Sequence, residues 1–214
     1  MTERQYSSVD RVLLNLHSGL STLLGSGHST ARTNPSENKE APLLNSSERR
    51  HAAGLMRVNH AGEVAAQALY LGQAATARSS EVRTQLLHAA EEEKDHLAWC
   101  EQRLSELEEK PSRLSPLWYA GAYAIGALNG LAGDRWSLGF VAETEKQVVE
   151  HLQGHLGKLP ERDVKSRSIV REMQSDEAAH GAQAVAAGGR ELPRPIQRAM
   201  RAAAKMMTRT AYWI

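Results

Sequence analysis

Two patterns of the same kind interrupt two otherwise apolar helix faces, and any fold of this chain has to accommodate both. Glu93 and His96 lie in the series Leu86, Ala89, Glu93, His96, Cys100, and Glu177 and His180 in the series Val170, Met173, Glu177, His180, Ala184. In each, the acid and the imidazole are three residues apart, one helical turn, on a face that reads as core. A buried carboxylate is costly unless it is paired or holds a metal, so the helices carrying these faces must meet further partners. Position carries this argument, because 20 Glu and 9 His in 214 residues give about one Glu-x-x-His pair by composition alone. A third pair, Glu48/His51, follows Asn45-Ser46-Ser47 beside Arg49 and Arg50. It reads as a capping box at a helix start.

The breakers divide the chain into long helical segments. Val9, Val12, Leu13, Leu16, Leu20 and Leu23 recur at helical spacing and predict a short opening helix. The Ser-, Gly-, Asn- and Pro-rich stretch from Gly25 to Asn45 reads as a loop. Helices are predicted over about 46–77, from Ser79-Ser80 to about 109, from about 137 to 158 and from about 161 to 187, with Pro111, Pro160 and Gly188-Gly189 as stops. No strand-like alternation occurs. The expected organisation is an arm over 1–45, a four-helix bundle over 46–189 and a helix over 190–214. A single cysteine, Cys100, excludes an internal disulfide and fits a reducing compartment. No charged and then apolar leader pattern follows Met1. Lys and Arg number 26 against 25 Asp and Glu, which argues against a nucleic-acid partner. Twenty uncharged residues, Leu114 to Gly133, are long enough to raise a membrane span. Pro116, Asn129, four glycines and many alanines dilute them, and a buried or membrane-facing crossover is the expectation.

Hairpin arithmetic identifies the facing residues. With a turn near Arg78, the position level with Glu93 is fifteen residues before the turn, at Glu63. With a turn near Glu161, the position level with Glu177 is Glu145, which interrupts Leu138, Val141, Val148 and Leu152. Both sets then sit roughly 22–24 Å above their turns at 1.5 Å per residue. Glu143 shares a face with Lys146, Gln147 and Glu150 and reads as solvated. Four carboxylates and two imidazoles, Glu63, Glu93, His96, Glu145, Glu177 and His180, form the ligand set of a dinuclear carboxylate site in a four-helix bundle. Two divalent irons would offset the four acids. His60, one turn before Glu63, either hydrogen-bonds a ligand or substrate or packs as an ordinary helix histidine, and His151, six after Glu145, has the same two readings. Tyr70 and Cys100 read as packing residues.

The segment Arg57-Val58-Asn59-His60-Ala61-Gly62-Glu63, then Glu93-Lys94-Asp95-His96-Leu97, then Pro116-Leu117-Trp118, resembles the demethoxyubiquinone hydroxylase family of ubiquinone biosynthesis, over about Glu48 to Ile214. The resemblance implies an all-α, ferritin-like four-helix bundle, here with an extra N-terminal helix and a C-terminal amphipathic helix. It also implies a non-haem di-iron centre with Glu63, Glu93, His96, Glu145, Glu177 and His180 as ligands and Glu93 and Glu177 bridging. The implied activity is a monooxygenase that hydroxylates a demethoxyubiquinol ring with dioxygen.

From Arg190 onward six basic residues face one acid, a net of +5. Arg194, Arg198, Arg201 and Lys205 follow one helical face, and Ile196, Met200, Ala203, Met207, Ala211 and Ile214 the other. Such a helix suits a bilayer interface, or packs on the bundle or at a subunit interface. The resembled family acts on a polyprenyl quinol, which resides in lipid, and this favours a peripheral position on the cytoplasmic side of the cell membrane. The partners expected are that quinol, dioxygen, an electron donor or reductase, the membrane surface, and further copies or a ubiquinone-synthesis complex. The rival readings are an iron oxidation or storage protein, a metal-free helical membrane adaptor, and a related tRNA-modifying di-iron hydroxylase; the tail argues against storage and against the tRNA enzyme.

Overall fold

The computed structural model describes Gly19, Thr22, residues 32–40 and residues 42–214. The apolar positions of the expected opening helix, Val9 to Leu16, Leu20 and Leu23, lie outside the described residues. Among the described residues six long helices follow one another: α1 Ser46–Thr76, α2 Ser80–Glu106, α3 Ser115–Ala132, α4 Asp134–Leu156, α5 Val164–Ala186 and α6 Arg194–Ala211. No strand occurs among the described residues. The helices α1, α2, α4 and α5 form the bundle, as two hairpins, α1–α2 and α4–α5.

Local chemistry sets the ends of these helices. Asn45 caps α1, its side chain accepting from the Ser47 and Glu48 amides at 2.9 Å, while Glu48 accepts from the Asn45 amide at 2.9 Å. The pair Glu48/His51 is therefore the predicted capping box, and His51 instead meets the Tyr212 hydroxyl at 2.7 Å. The first hairpin turns at residues 77–79, where the Asp134 carboxylate accepts from the Arg78 and Ser79 amides at 3.0 and 2.8 Å. The second turns between Leu156 and Val164, and Asp163 caps α5 by accepting from the Ser166 amide at 3.0 Å. Gly133 joins α3 to α4 at φ +111°, a left-handed backbone that a side chain would strain.

The uncharged run forms α3, which lies along α1. The two backbones approach closely, since a Cβ at Gly72 would stand 2.2 Å from the Tyr123 carbonyl oxygen. Burial of the whole run does not hold. With α1 as its main neighbour, α3 turns Leu117, Ile125, Leu128 and Leu131 outward, Leu128 being 67% exposed. No described helix is long and apolar enough to cross a membrane. The last helix, α6, packs on α1 and α4, with Ala211 meeting Val58 and Ala61 of α1, while Ile196 and Met206, and Trp213 just beyond the helix, are exposed.

The expectation that Glu143 faces solvent fails for the same reason of packing. Crossing α6 covers that face of α4, so Glu143 is 7% exposed, accepts from Gln147 Nε2 at 2.6 Å and pairs with Arg201 at 3.3 Å.

Apart from a small patch of Val58, Ala61 and Ala211 between α1 and α6, the interior divides into two apolar zones. One holds Met56, Trp99, Leu104, Leu152, Ile169 and Met173. The other, nearer the 77–79 turn, holds Tyr70, Leu86, Leu138, Val141 and Ala184. Between them lies a polar slab, and every residue proposed as a ligand falls in it.

Candidate metal centre

Each of the four bundle helices delivers carboxylate to that slab: Glu63 from α1, Glu93 with His96 from α2, Glu145 from α4, and Glu177 with His180 from α5. All six are nearly or fully buried. One ligand atom from each of Glu63, Glu93, His96 and Glu177 falls within 4.8 Å of the others. His96 Nδ1 lies 3.0 Å from Glu93, 3.1 Å from Glu177 and 3.6 Å from Glu63. His180 Nδ1 lies 3.2 Å from Glu177 and 3.6 Å from Glu93. Glu93 and Glu177 are thus within reach of both imidazoles. Glu145 joins through the Tyr70 hydroxyl, which donates a short hydrogen bond to Glu145 Oε1.

The electrostatics are those of a site that demands positive charge. Burial, with Glu177 and Glu63 adding to it, pushes the Glu93 carboxyl well above its ordinary range. Burial likewise raises Glu145, helped by Glu177 and Glu93. For Glu177 burial is outweighed by hydrogen bonds from His180 and His96, and its carboxyl is held below the usual range. Burial opposes charge on both imidazoles, yet the surrounding carboxylates win, raising His96 and bringing His180 up to about 9. Protons hold such a cluster together, and a divalent cation competes for the same places. Glu93 Oε1 and Glu145 Oε2 are buried without a hydrogen-bond partner, which is costly for neutral packing and fitting for oxygen donors to a metal. The residues present therefore fit a metal centre.

The other ring nitrogen of each histidine is held by a carboxylate from the opposite helix. His96 Nε2 meets Asp176 Oδ2 at 2.9 Å, and His180 Nε2 meets Glu92 Oε2 at 3.0 Å. These outer partners set the tautomer that leaves Nδ1 facing the cluster. The arrangement is reciprocal, because α2 contributes Glu92 to the histidine of α5 and α5 contributes Asp176 to the histidine of α2.

The chain matches the ubiquinone biosynthesis protein COQ7 family over residues 50–211. It belongs to that family. Relatives of this COQ7 chain include the 3-demethoxyubiquinol 3-hydroxylase of Nitrosococcus oceani, 52% identical over 214 residues, all of both chains. That of Ralstonia pickettii is 62% identical over 186 residues, 87% of this chain and 85% of the relative. That of Polynucleobacter necessarius is 54% identical over 208 residues, 97% of this chain and 100% of the relative.

Other residues of this COQ7 member take places that its sequence left open. His60 is buried on α1 and meets Glu101 at 3.2 Å through Nε2. His151 lies against His155 with ring centroids 4.0 Å apart and planes tilted by 58°, and His155 meets Asn59 Oδ1 at 2.7 Å. Burial pushes these two imidazoles down to about 4 and about 3, so both stay neutral near pH 7. Tyr70, read as a packing residue, also reaches into the cluster as the donor to Glu145. Burial and the nearby carboxylates raise its hydroxyl far above its ordinary value and keep it protonated. Asp176 and Glu92 carry no expectation from the sequence, and Tyr70 does more than the packing expected of it. One signal was available for the two acids: an acid stands directly before both Glu-x-x-His pairs, as Glu92-Glu93 and Asp176-Glu177.

Proposed function

We propose that this COQ7 family member is a non-haem di-iron monooxygenase, a 3-demethoxyubiquinol 3-hydroxylase acting at the membrane surface. The observation that carries the reading is the convergence of four carboxylates and two imidazoles from four helices on one buried slab, with Glu93 Oε1 and Glu145 Oε2 among the carboxylate oxygens that lack a hydrogen-bond partner. Glu63, Glu93, His96, Glu145, Glu177 and His180 would hold two irons. Glu93 and Glu177, each near both imidazoles, would bridge them. Iron held by these residues in its ferrous form would supply electrons and open positions for dioxygen. Tyr70 orients Glu145 by its hydrogen bond, and Asp176 and Glu92 orient the two histidines. The apolar zones above and below exclude water from the site. In the overall reaction one oxygen atom enters the quinol ring and the other leaves as water, with two electrons from the quinol or a reductase.

Reconstitution tests this. Protein loaded with ferrous iron and given reductant, dioxygen and a demethoxyquinol is expected to bind two irons per chain and form the hydroxylated ring. Two bound irons with an unchanged quinol would overturn the substrate assignment, and a large hollow oligomer that accumulates iron would favour storage.

The quinol lies in lipid, and α3 with α6 offers a surface for reaching it. Outward-facing Leu117, Leu128 and Leu131 on α3 and Met206, Trp213 and Ile214 around α6 are exposed, with Arg194, Arg198, Lys205 and Arg209 alongside them on α6. Apolar insertion combined with attraction to anionic headgroups suits peripheral binding, here on the cytoplasmic side of the cell membrane. Leu128→Glu is expected to weaken sedimentation with anionic vesicles at least about tenfold, since burying a leucine contributes about 2 kcal/mol. Helix content and iron loading should stay unchanged. Vesicle binding equal to that of the native chain would remove α3 from the docking surface.

A further inference from the structure

The segment 32–40 crosses the outside of the bundle at the seam of α2 and α5. It is pinned by Asn34 Nδ2 donating to Gln102 Oε1 at 2.8 Å, and Asn34 Oδ1 accepts from the Ser36 amide and hydroxyl at 2.9 and 2.8 Å. Arg32 reaches in from this strap. Its Nη1 donates to Asp176 Oδ2 at 2.8 Å and its Nη2 to Glu172 Oε1 at 3.3 Å. Its guanidinium lies 5.0 Å from the centroid of Trp99, whose ring lies 5.3 Å from that of His96.

The oxygen that Arg32 grips is the one that receives His96 Nε2. A continuous line therefore runs from a strap outside the bundle to an imidazole inside it: Arg32, Asp176, His96. The other half of the centre is built differently. There Glu92 Oε2 takes His180 Nε2 at 3.0 Å and is backed by His88 Nδ1 at 3.0 Å, and the His88 side chain is 73% exposed. A guanidinium presents a rigid fork of donors, whereas an exposed imidazole offers a single ring nitrogen on a mobile side chain. The two halves share a plan and differ in what stands behind the carboxylate.

We propose that Arg32 is a positioning residue for the His96 half of the metal centre, clamping Asp176 so that His96 keeps Nδ1 turned to the metal and this position becomes the tighter of the two. The inference rests on the two-metal reading above. Arg32 touches neither substrate nor metal. It acts through Asp176, with the stacking on Trp99 holding the guanidinium in register. The match to the family begins only at residue 50, so the strap adds a contribution to the site from outside the matched region.

Cobalt(II) titration of the full chain, followed by visible absorption, tests this in four proteins: native, Arg32→Gln, Asp176→Asn and the double variant. Native protein is expected to bind two equivalents with unequal affinity. Removing an outer partner of a metal-ligating histidine typically costs about 10–100-fold in affinity, so Arg32→Gln should weaken the tighter step about tenfold and leave the weaker one in place. Asp176→Asn should weaken the same step at least as much, and the double variant should match Asp176→Asn, because residues acting in series do not add. Arg32→Lys, which keeps the charge and loses the fork, should fall between native and Arg32→Gln. Melting of the metal-free proteins should differ little. Superimposable native and Arg32→Gln titrations overturn the proposal, as do losses that multiply in the double variant or an equal weakening of both steps. Fewer than two equivalents bound by the native chain overturns the two-metal reading, and the proposal with it.

Discussion

Replacing Glu177 with alanine is expected to abolish both metal loading and turnover. Glu177 is the shared member of the cluster: His96 lies 3.1 Å from one of its oxygens and His180 3.2 Å from the other. No other acid stands so near to both imidazoles, Glu93 being 3.0 Å from His96 and 3.6 Å from His180. Loss of a mere outer partner costs about 10–100-fold, so loss of this ligand should lower turnover by more than about 100-fold. The fold itself should survive. In the metal-free chain Glu177 raises the cost of charge on Glu93 and Glu145, and its removal relieves that repulsion. Circular dichroism in chelator should therefore show native helix content. A ligand that binds only the folded state raises the melting midpoint by mass action, so ferrous iron should stabilise the native chain and leave Glu177→Ala unmoved. A Glu177→Ala protein that still takes up two metals would refute its assignment as a ligand.

The part of this site that was legible in the sequence is the part that helical periodicity encodes. Glu93, His96, Glu145, Glu177 and His180 each break an apolar series, and a break in such a series is visible from one strand of text. Glu63 became visible once two turns were placed, and the turns were well marked by Ser79 and Pro160. What periodicity does not encode is contact between helices. Asp176 and Glu92 sit on the rims of their helices, where periodicity does not single out an acid. Only the crossing of α2 and α5 turns each of them to the histidine of the other. The same limit explains Glu143, whose cover is α6, some fifty residues further along the chain. Arg32 lies further still from any pattern, in a stretch whose composition reads as loop. Its role depends on where the strap crosses α2 and α5. For α3 the composition was plain and the environment was not, because an uncharged helix packs inside a bundle or along one neighbour equally well, and here it takes the second course.

The largest expected loss of stability comes from Arg103, outside the metal centre. Arg103 lies on α2, seven residues past His96, which is roughly 10 Å further along the helix. It is 6% exposed and donates in three directions: to Ser166 Oγ at 2.8 Å, to Asp163 Oδ1 at 2.9 Å and to Glu106 Oε2 at 2.7 Å. Asp163 is fully buried and caps α5 through the Ser166 amide, so the network ties the start of α5 to the end of α2. Removing one partner of a buried pair leaves the other charge uncompensated, at about 3–5 kcal/mol. For a chain of this length each kcal/mol moves the melting midpoint about 2–4 °C, and Arg103→Ala should lower it by about 10 °C. Adding Asp163→Ala removes the stranded carboxylate and should restore part of that loss, while the missing α5 cap, about 1 kcal/mol, keeps the double variant below native. At low temperature, where Arg103→Ala is still folded, its metal stoichiometry should remain native, since none of the six proposed ligands hydrogen-bonds to Arg103. Melting of the two variants by calorimetry, with metal analysis below the transition, separates these effects. A midpoint within about 2 °C of native for Arg103→Ala would mean that Asp163 recovers a partner or water, and that the link between α2 and α5 rests on the apolar zone of Leu104, Ile169 and Met173 instead.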